Sequence, residues 1–419
     1  MSGLIKVLCV GMLLSGIMFG AARADSIVQF TFNGQINGVF GPVNNYKVQL
    51  YDSQVQATVT NFLQYVNAGS YNGTIIHRNG QSDGQTFVVQ GGGFSPQIDN
   101  TGTWTGYYYS VVTGAPIKLD AQLSNVRGTI AMARTDAADS ATSQWFINVT
   151  DNLFLNPSQG NPGYAVFGQV VGEGMNLVDA IASLPAYPFG SPFDELPLAG
   201  YDGVSAVKSS NFIAVISAAV VPTVQWQGGS SSGATNWALA ANWSSGSTGP
   251  NGAGGHLVVG SQASANNVID MISGGGRTVG NIYFSDATPT TIKSTGGYSL
   301  TLDNGSNAST VSVLGNQTIS APVILNSNTI FSGDGTLTLS GGVDSTHGMA
   351  VLGGDIIAKS INVNTLTLEN GSTITIQPIP GGPLGEAIAP VPEPSAVVLL
   401  GIGICALSAY GWRRRKRAA

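Results

Sequence analysis

Charge is scarce in this chain: only 9% of its 419 residues are Asp, Glu, Lys or Arg. Cysteine is scarcer still. Cys9 and Cys405 both lie in apolar terminal runs, so neither disulfides nor cysteine catalysis can account for the body. Histidine occurs three times, and His77 is remote in sequence from His256 and His347, which argues against a histidine-based metal site. Basic residues are few where they would matter. Seven of the 16 lie in the terminal segments, leaving nine for the body against 22 acidic residues. So acidic a body is a poor polyanion binder, and nucleic acid is excluded as a partner. The glycine triplet of "QGGGF" lacks the Gly-Lys-Ser/Thr ending of a phosphate-binding loop, and nothing marks a nucleophile for a Ser-His-Asp triad. No cofactor is expected.

Hydrophobic runs, by contrast, mark both ends. Lys6 precedes an apolar stretch from Val7 to Phe19, and Ala22-Arg23-Ala24 offers a small-x-small cleavage site. Residues 1–24 therefore read as a secretory signal peptide. At the other end Ser395 to Trp412 carries no charge, and as a helix it would reach ~27 Å, about one hydrocarbon thickness. The following "RRRKR" would stay on the cytoplasmic side. The body is expected outside the cytoplasmic membrane.

Composition shifts once, near Val220. Residues 25–221 mix strand-like runs such as "SIVQFTF", "KVQLYD", "TIAMA", "QWFINV" and "YAVFGQVV" with two helical patterns. One sets Val59, Phe62, Leu63 and Val66 on a single face and stops at Gly69; the other does so with Leu177, Val178, Ile181 and Leu184 before Pro185. Residues 222–389 are rich in Gly, Ser, Thr and Asn. "SLTLDNGS", "TLTLSGG" and "TLTLENGSTITI" alternate apolar residues with Thr, the pattern of strands with one buried face. These units begin near Leu300, Leu337 and Leu366, 37 and then 29 residues apart, which predicts a β-solenoid or a β-sandwich. Trp226, Trp237 and Trp243 fit a cap on the first coil of that core better than a sugar platform.

Four stretches carry a resemblance. "VTNFLQYVNAGSYNGTIIHR", "FVVQGGGF", "GTIAMARTDAADSATSQWFINVTDN" and "GYAVFGQVVGEGMNLVDAI" are similar in order and spacing to the cyclophilins, over about Ile27 to Val215. The "MARTDAADSATSQ" form and Tyr164 look like the bacterial exported branch. The resemblance implies a closed eight-stranded antiparallel barrel with two helices and peptidyl-prolyl cis-trans isomerisation. Residue by residue, Arg78 matches the catalytic arginine and Gln90 the glutamine that bonds the substrate backbone. Phe87, Val88, Phe146 and Leu155 match the apolar wall around the proline ring. Ala133 and Arg134 match the stretch that binds the preceding peptide, and Gln144 lies on the groove. Phe154 and Tyr164 stand where many relatives carry Trp and His. One departure is an insertion: eight residues, 79–86, separate Arg78 from Phe87, and their polar, glycine-containing composition reads as a longer surface loop. His77 is expected to support its strand rather than take part in chemistry.

The tail, residues 390–419, resembles the PEP-CTERM sorting signal: Pro392-Glu393-Pro394, a transmembrane helix at 395–412, then the basic cluster. It implies a membrane anchor and a sorting protease of the exosortase type as a partner. The function these readings imply is isomerisation of X-Pro bonds in exported or surface proteins, assisting their folding. The alternative is a surface or matrix scaffold whose barrel binds proline-containing segments with little turnover.

Overall fold

The computed structural model describes residues 26–33, 44–228, 235–260, 267–285, 287–369 and 371–377. The proposed signal peptide at 1–24 and the proposed span at 395–412 lie outside them. Among the described residues no helix is long and apolar enough to cross a membrane. The described residues through Thr375 form one compact unit.

The N-terminal half is an antiparallel sheet with two helices. Its strands are β1 (Ile27–Phe32), β2 (Asn45–Leu50), β3 (Arg78–Ser82) and β4 (Gln85–Gly91), then, after a separate hairpin of β5 (Phe94–Ile98) and β6 (Trp104–Ser110), β7 (Thr129–Met132), β8 (Trp145–Asn148) and β9 (Val166–Val171). A small pair follows, β10 (Ala186–Tyr187) and β11 (Leu196–Pro197), and then β12 (Val215–Val221). The ladder order is β12-β1-β2-β9-β7-β8-β4-β3. Eight strands are present as expected, but the barrel does not close: β3 and β12 share no ladder. A single bridge, Ile75 to Ala214, joins the segments that precede them. The reason lies in β3, whose free edge is taken instead by the loop before β11, where Asn79 N–H donates to the Glu195 carbonyl at 2.8 Å.

Both helices form where the apolar spacing places them. α1 (Gln56–Asn67) buries Val59, Phe62, Leu63 and Val66. It stops where Gly69 turns left-handed at φ 67°, a conformation without penalty only for glycine. α2 (Gly174–Ala182) buries Leu177, Val178 and Ile181 and packs on β2, β4 and β9. Between them sits an aromatic core in which Phe30 lies 5.0 Å from Trp145 and Phe62 lies 4.9 Å from Phe167.

From Val224 the chain winds into a parallel β-solenoid, which removes the sandwich alternative. Three parallel sheets of seven, six and five strands run along it. Thr310, Ile330 and Ala350 stack in register, so a coil there takes 20 residues. The three "TLTL"-type units are therefore not one repeat. Leu300, Leu337 and Leu366 belong to three different sheets. The first two report only that a strand points every second side chain inward, whereas Leu366 and Leu368 of the third are 48% and 50% exposed. Leu257, Ile282, Leu300, Leu337 and Leu339 fill the interior without exposure. Trp226, Trp237 and Trp243 are buried at the start of this core, with Trp226 and Trp243 edge to face at 4.9 Å, and so cannot offer a sugar platform.

The solenoid leans on the sheet. Ile27 and Val171 pack with Val258 and Tyr283. Gln49 on β2 is fully buried between the two, its Nε2 donating to the Phe284 carbonyl at 3.3 Å and its Oε1 accepting from Ser312 Oγ at 3.2 Å. Beside this contact a cleft of about 1200 Å³ opens between Val170, Met175 and the solenoid turns at Gly315, Gly333 and Gly353. That cleft contains neither Arg78 nor Gln90.

Candidate active site

Register assembles the site. Arg78 on β3 faces Gln90 on β4, Gln90 faces Phe146 on β8, and Phe146 faces Ala131 on β7. Residues facing each other across a ladder project to the same side of a sheet. One row thus presents a guanidinium, an amide and an aromatic ring in order. Arg78 Nη1 donates to Gln90 Oε1 at 3.4 Å, and Gln90 Nε2 donates to Gln144 Oε1 at 2.9 Å. The Arg78 side chain stays 38% exposed, so a substrate can reach it. Its Nη2 has no hydrogen-bond partner among the described residues. A fifth group joins from outside the sheet: Glu195 Oε2 lies 2.8 Å from Arg78 Nε.

Glycines make room for this arrangement. A Cβ on Gly80 would stand 3.1 Å from Arg78 Nη1 and 2.8 Å from Val88 Cγ2, so a side chain there would crowd Val88 and press on the guanidinium that lies beside it. In the triplet, a Cβ on Gly92 would stand 2.7 Å from the Trp145 indole and one on Gly93 would stand 2.8 Å from the Gln144 amide. The triplet seats those two side chains; it is not an anion cradle.

The insertion at 79–86 is not the surface loop its composition suggested. Gln81 pairs with Thr86 and Ser82 with Gln85, closing a β-hairpin on the two-residue turn Asp83-Gly84. Both turn residues have positive φ, 52° and 77°. That is the geometry whose twist matches paired strands, and Asp-Gly is a favoured pair for it. The inserted residues lengthen β3 and β4 instead of looping away.

His77, next to the arginine, is 2% exposed and meets Phe94 edge-on at 4.8 Å. Burial pushes its pKa down to about 4, so it is neutral near pH 7 and has no charge to contribute. The other proposed residues fall into two groups. Phe146 packs edge-on to Tyr164 at 5.5 Å, and Ala133 N–H donates to the Gln144 carbonyl at 2.9 Å. Phe87 packs against Phe154 at 5.5 Å, with Phe154 61% exposed on a short turn of helix at Leu153–Leu155 and Leu155 packed on the core. Val88 is buried beside Gly80. Arg134 is committed within the protein: Nε donates to the Gly163 carbonyl at 2.8 Å, Nη1 to Thr135 at 2.7 Å, and the guanidinium lies 4.5 Å above the Tyr164 ring. It holds the 161–164 turn in place. Gly80 and Glu195 are neighbours of Arg78 that the sequence reading missed. The only signal for Glu195 was an acid in the run "FDELPL" of a chain poor in charge.

Comparison with known proteins identifies relatives of the N-terminal half and of the tail. Residues 36–199 match the cyclophilin type peptidyl-prolyl cis-trans isomerase/CLD family, and residues 390–416 match the PEP-CTERM protein-sorting motif. A peptidyl-prolyl cis-trans isomerase of Acinetobacter baylyi is 41% identical over 43% of this chain and 85% of its own length. Peptidyl-prolyl cis-trans isomerase A of Dickeya dadantii is 44% identical over 36% of this chain and 73% of its own. Isomerase B of Escherichia coli is 45% identical over 32% and 76%. With such identity across most of each relative, the chain belongs to the cyclophilin-type peptidyl-prolyl cis-trans isomerase family and ends in a PEP-CTERM sorting motif.

Proposed function

We propose that the chain isomerises X-Pro peptide bonds in exported proteins, with Arg78 as the group that acts on the transition state. Amide resonance opposes rotation with a barrier of ~18–20 kcal/mol. The two X-Pro isomers are close in energy yet exchange in about tens to hundreds of seconds. A catalyst need only favour the twisted state, in which the prolyl nitrogen pyramidalises and regains its lone pair. A cationic donor aimed at that nitrogen binds the twisted state better than either planar one. Arginine suits this because it stays charged and presents donors in a fixed plane.

The observation that carries the reading is the row Arg78, Gln90, Phe146. It sets a reachable guanidinium beside an amide that can hold the substrate backbone and a ring that can take the proline. Phe87, Val88 and Leu155 extend the apolar wall, Phe154 and Tyr164 form its rim, and Ala133 and Gln144 offer backbone and amide contacts to the residues before the proline. Arg134 contributes by keeping Tyr164 in place. Arg78→Ala in the full-length protein should lower kcat/KM for a short X-Pro peptide about a hundredfold, the typical loss for one transition-state donor. Unchanged turnover would overturn the assignment.

The address belongs to the same proposal. Residues 1–24 direct export, residues 395–412 span the membrane with "RRRKR" on its cytoplasmic face, and an exosortase-type protease acts near Pro392-Glu393-Pro394. Two prolines ahead of the span disfavour helix and keep the site extended for a protease. Mass spectrometry of the C-terminal peptide from native cells should find ends near Glu393. Chains ending mainly at Ala419 would leave a permanent anchor instead.

A further inference from the structure

β3 is the last strand of its sheet, so the N–H groups of its outer edge need partners from elsewhere. The loop between β10 and β11 supplies them through one residue. The Glu195 carbonyl accepts from Asn79 N–H at 2.8 Å, and Glu195 Oε1 accepts from Gln81 N–H at 3.0 Å. Its other oxygen, Oε2, takes the Nε edge of Arg78 at 2.8 Å. The carboxylate thus ties the strand that carries the arginine to the arginine's own side chain.

We propose that Glu195 is a positioning residue that sets the direction of the Arg78 guanidinium; this rests on the isomerase reading above. A guanidinium is planar with five N–H donors in a fixed fork. With Glu195 on Nε and Gln90 Oε1 on Nη1 the guanidinium plane is fixed, while Nη2 has no protein hydrogen-bond partner among the described residues. The chemistry of the site selects a carboxylate. The two groups that meet the Glu195 side chain, Gln81 N–H and Arg78 Nε–H, are both donors, so they require two acceptor oxygens on one side chain. Glutamine offers one acceptor and would aim its NH₂ at a donor. Aspartate has the oxygens but is one methylene short. An aliphatic arginine stem left untied would spread over several rotamers and meet the prolyl nitrogen only part of the time.

The test uses the full-length protein and compares Glu195→Gln, Glu195→Asp, Arg78→Ala and the double variant Arg78→Ala/Glu195→Gln, with rates and peptide affinity measured by exchange NMR. Glu195→Gln should lower the catalysed rate about tenfold at bound peptide while peptide affinity changes less than twofold. Glu195→Asp should recover no more than part of that loss. In the Arg78→Ala background Glu195→Gln should have no further effect, because the two act as a unit. In the parent, the Arg78 Nε–H resonance should be protected from solvent exchange, and Glu195→Gln should abolish that protection. A Glu195→Gln variant with the parental rate, or an equal further loss in the Arg78→Ala background, would overturn the positioning role and reduce Glu195 to a strand support. Full activity in Arg78→Ala alone would instead remove the assignment of Arg78 to the transition state, on which the positioning role depends. Should the variants unfold, the protection of the Arg78 Nε–H in the parent decides: rapid exchange there refutes the ion pair.

Discussion

In the proposed mechanism Arg78 acts only if its neighbours leave it room and keep it pointed. Gly80→Ala places a methyl against Arg78 Nη1 and Val88 Cγ2. It should cost about 1–3 kcal/mol by overpacking and lower the isomerisation rate about tenfold. Denaturant unfolding and kcat/KM measured together check both effects, and an unchanged rate would show that the guanidinium does not lie across β3. His77 affects pH dependence instead. Its pKa is about 4 in the folded chain and about 6.5 unfolded, so between those values the unfolded state binds more protons. The stability linked to neutral His77 is fully present above pH 6.5 and is lost as pH falls toward 4, by on the order of 3 kcal/mol. His77→Phe should flatten the fall in Tm between pH 7 and 4.5; an unaltered slope would mean that the imidazole accepts its proton in the folded state. His256 adds to the same slope, since burial and the nearby Lys47 charge push its pKa down to about 4.

Among the elements, the hairpin at Asp83-Gly84 and the tryptophan cap show how local chemistry and burial divide the work. The hairpin follows from two residues able to hold positive φ, and it could have been read from "SDGQ" between polar strand residues. Its polarity concealed it, because the inserted strands are exposed at their tips and lack the apolar alternation that marks a half-buried strand. The cap is the reverse case. Trp243 is 1% exposed, packs edge-on to Trp226 and tilted against Trp237, and donates through Nε1 to the Trp237 carbonyl at 2.6 Å. Trp243→Ala should destabilise the solenoid by about 3–5 kcal/mol while leaving the isomerisation rate near the parental value. A stability change under about 0.5 kcal/mol, the range of ordinary surface substitutions, would contradict the core role.

Within the described residues, the sheet and the solenoid have separate cores and share a buried contact. Gln49 is satisfied there by groups of the solenoid as well as its own strand. Gln49→Ala leaves the Phe284 carbonyl and Ser312 hydroxyl short of a buried partner and should cost about 1–3 kcal/mol. Calorimetry should then show the two parts melting less cooperatively than in the parent. We also expect residues 222–377 to form β structure alone, since the coils bury their own interior. That fragment should melt below the intact protein because Val258 and Tyr283 lose their cover. A fragment without β signal in circular dichroism would show that the sheet is needed to nucleate the coils.

Much of the protein was legible without coordinates. Helix faces at 56–67 and 174–182, strand runs and the alternating Thr-Leu units depend on local periodicity, which the chain carries in every residue. Arg78, Gln90 and Phe146 could be singled out because their motifs are short and ordered. What remained hidden depends on pairing between distant segments. Which "TLTL" unit joins which sheet is decided by coil length and not by likeness. Where β3 finds partners for its outer edge is decided by a loop more than 110 residues further on. Glu195 reaches Arg78 for the same reason. Its carboxylate satisfies donors on an edge strand, and an edge exists only once the sheet has formed.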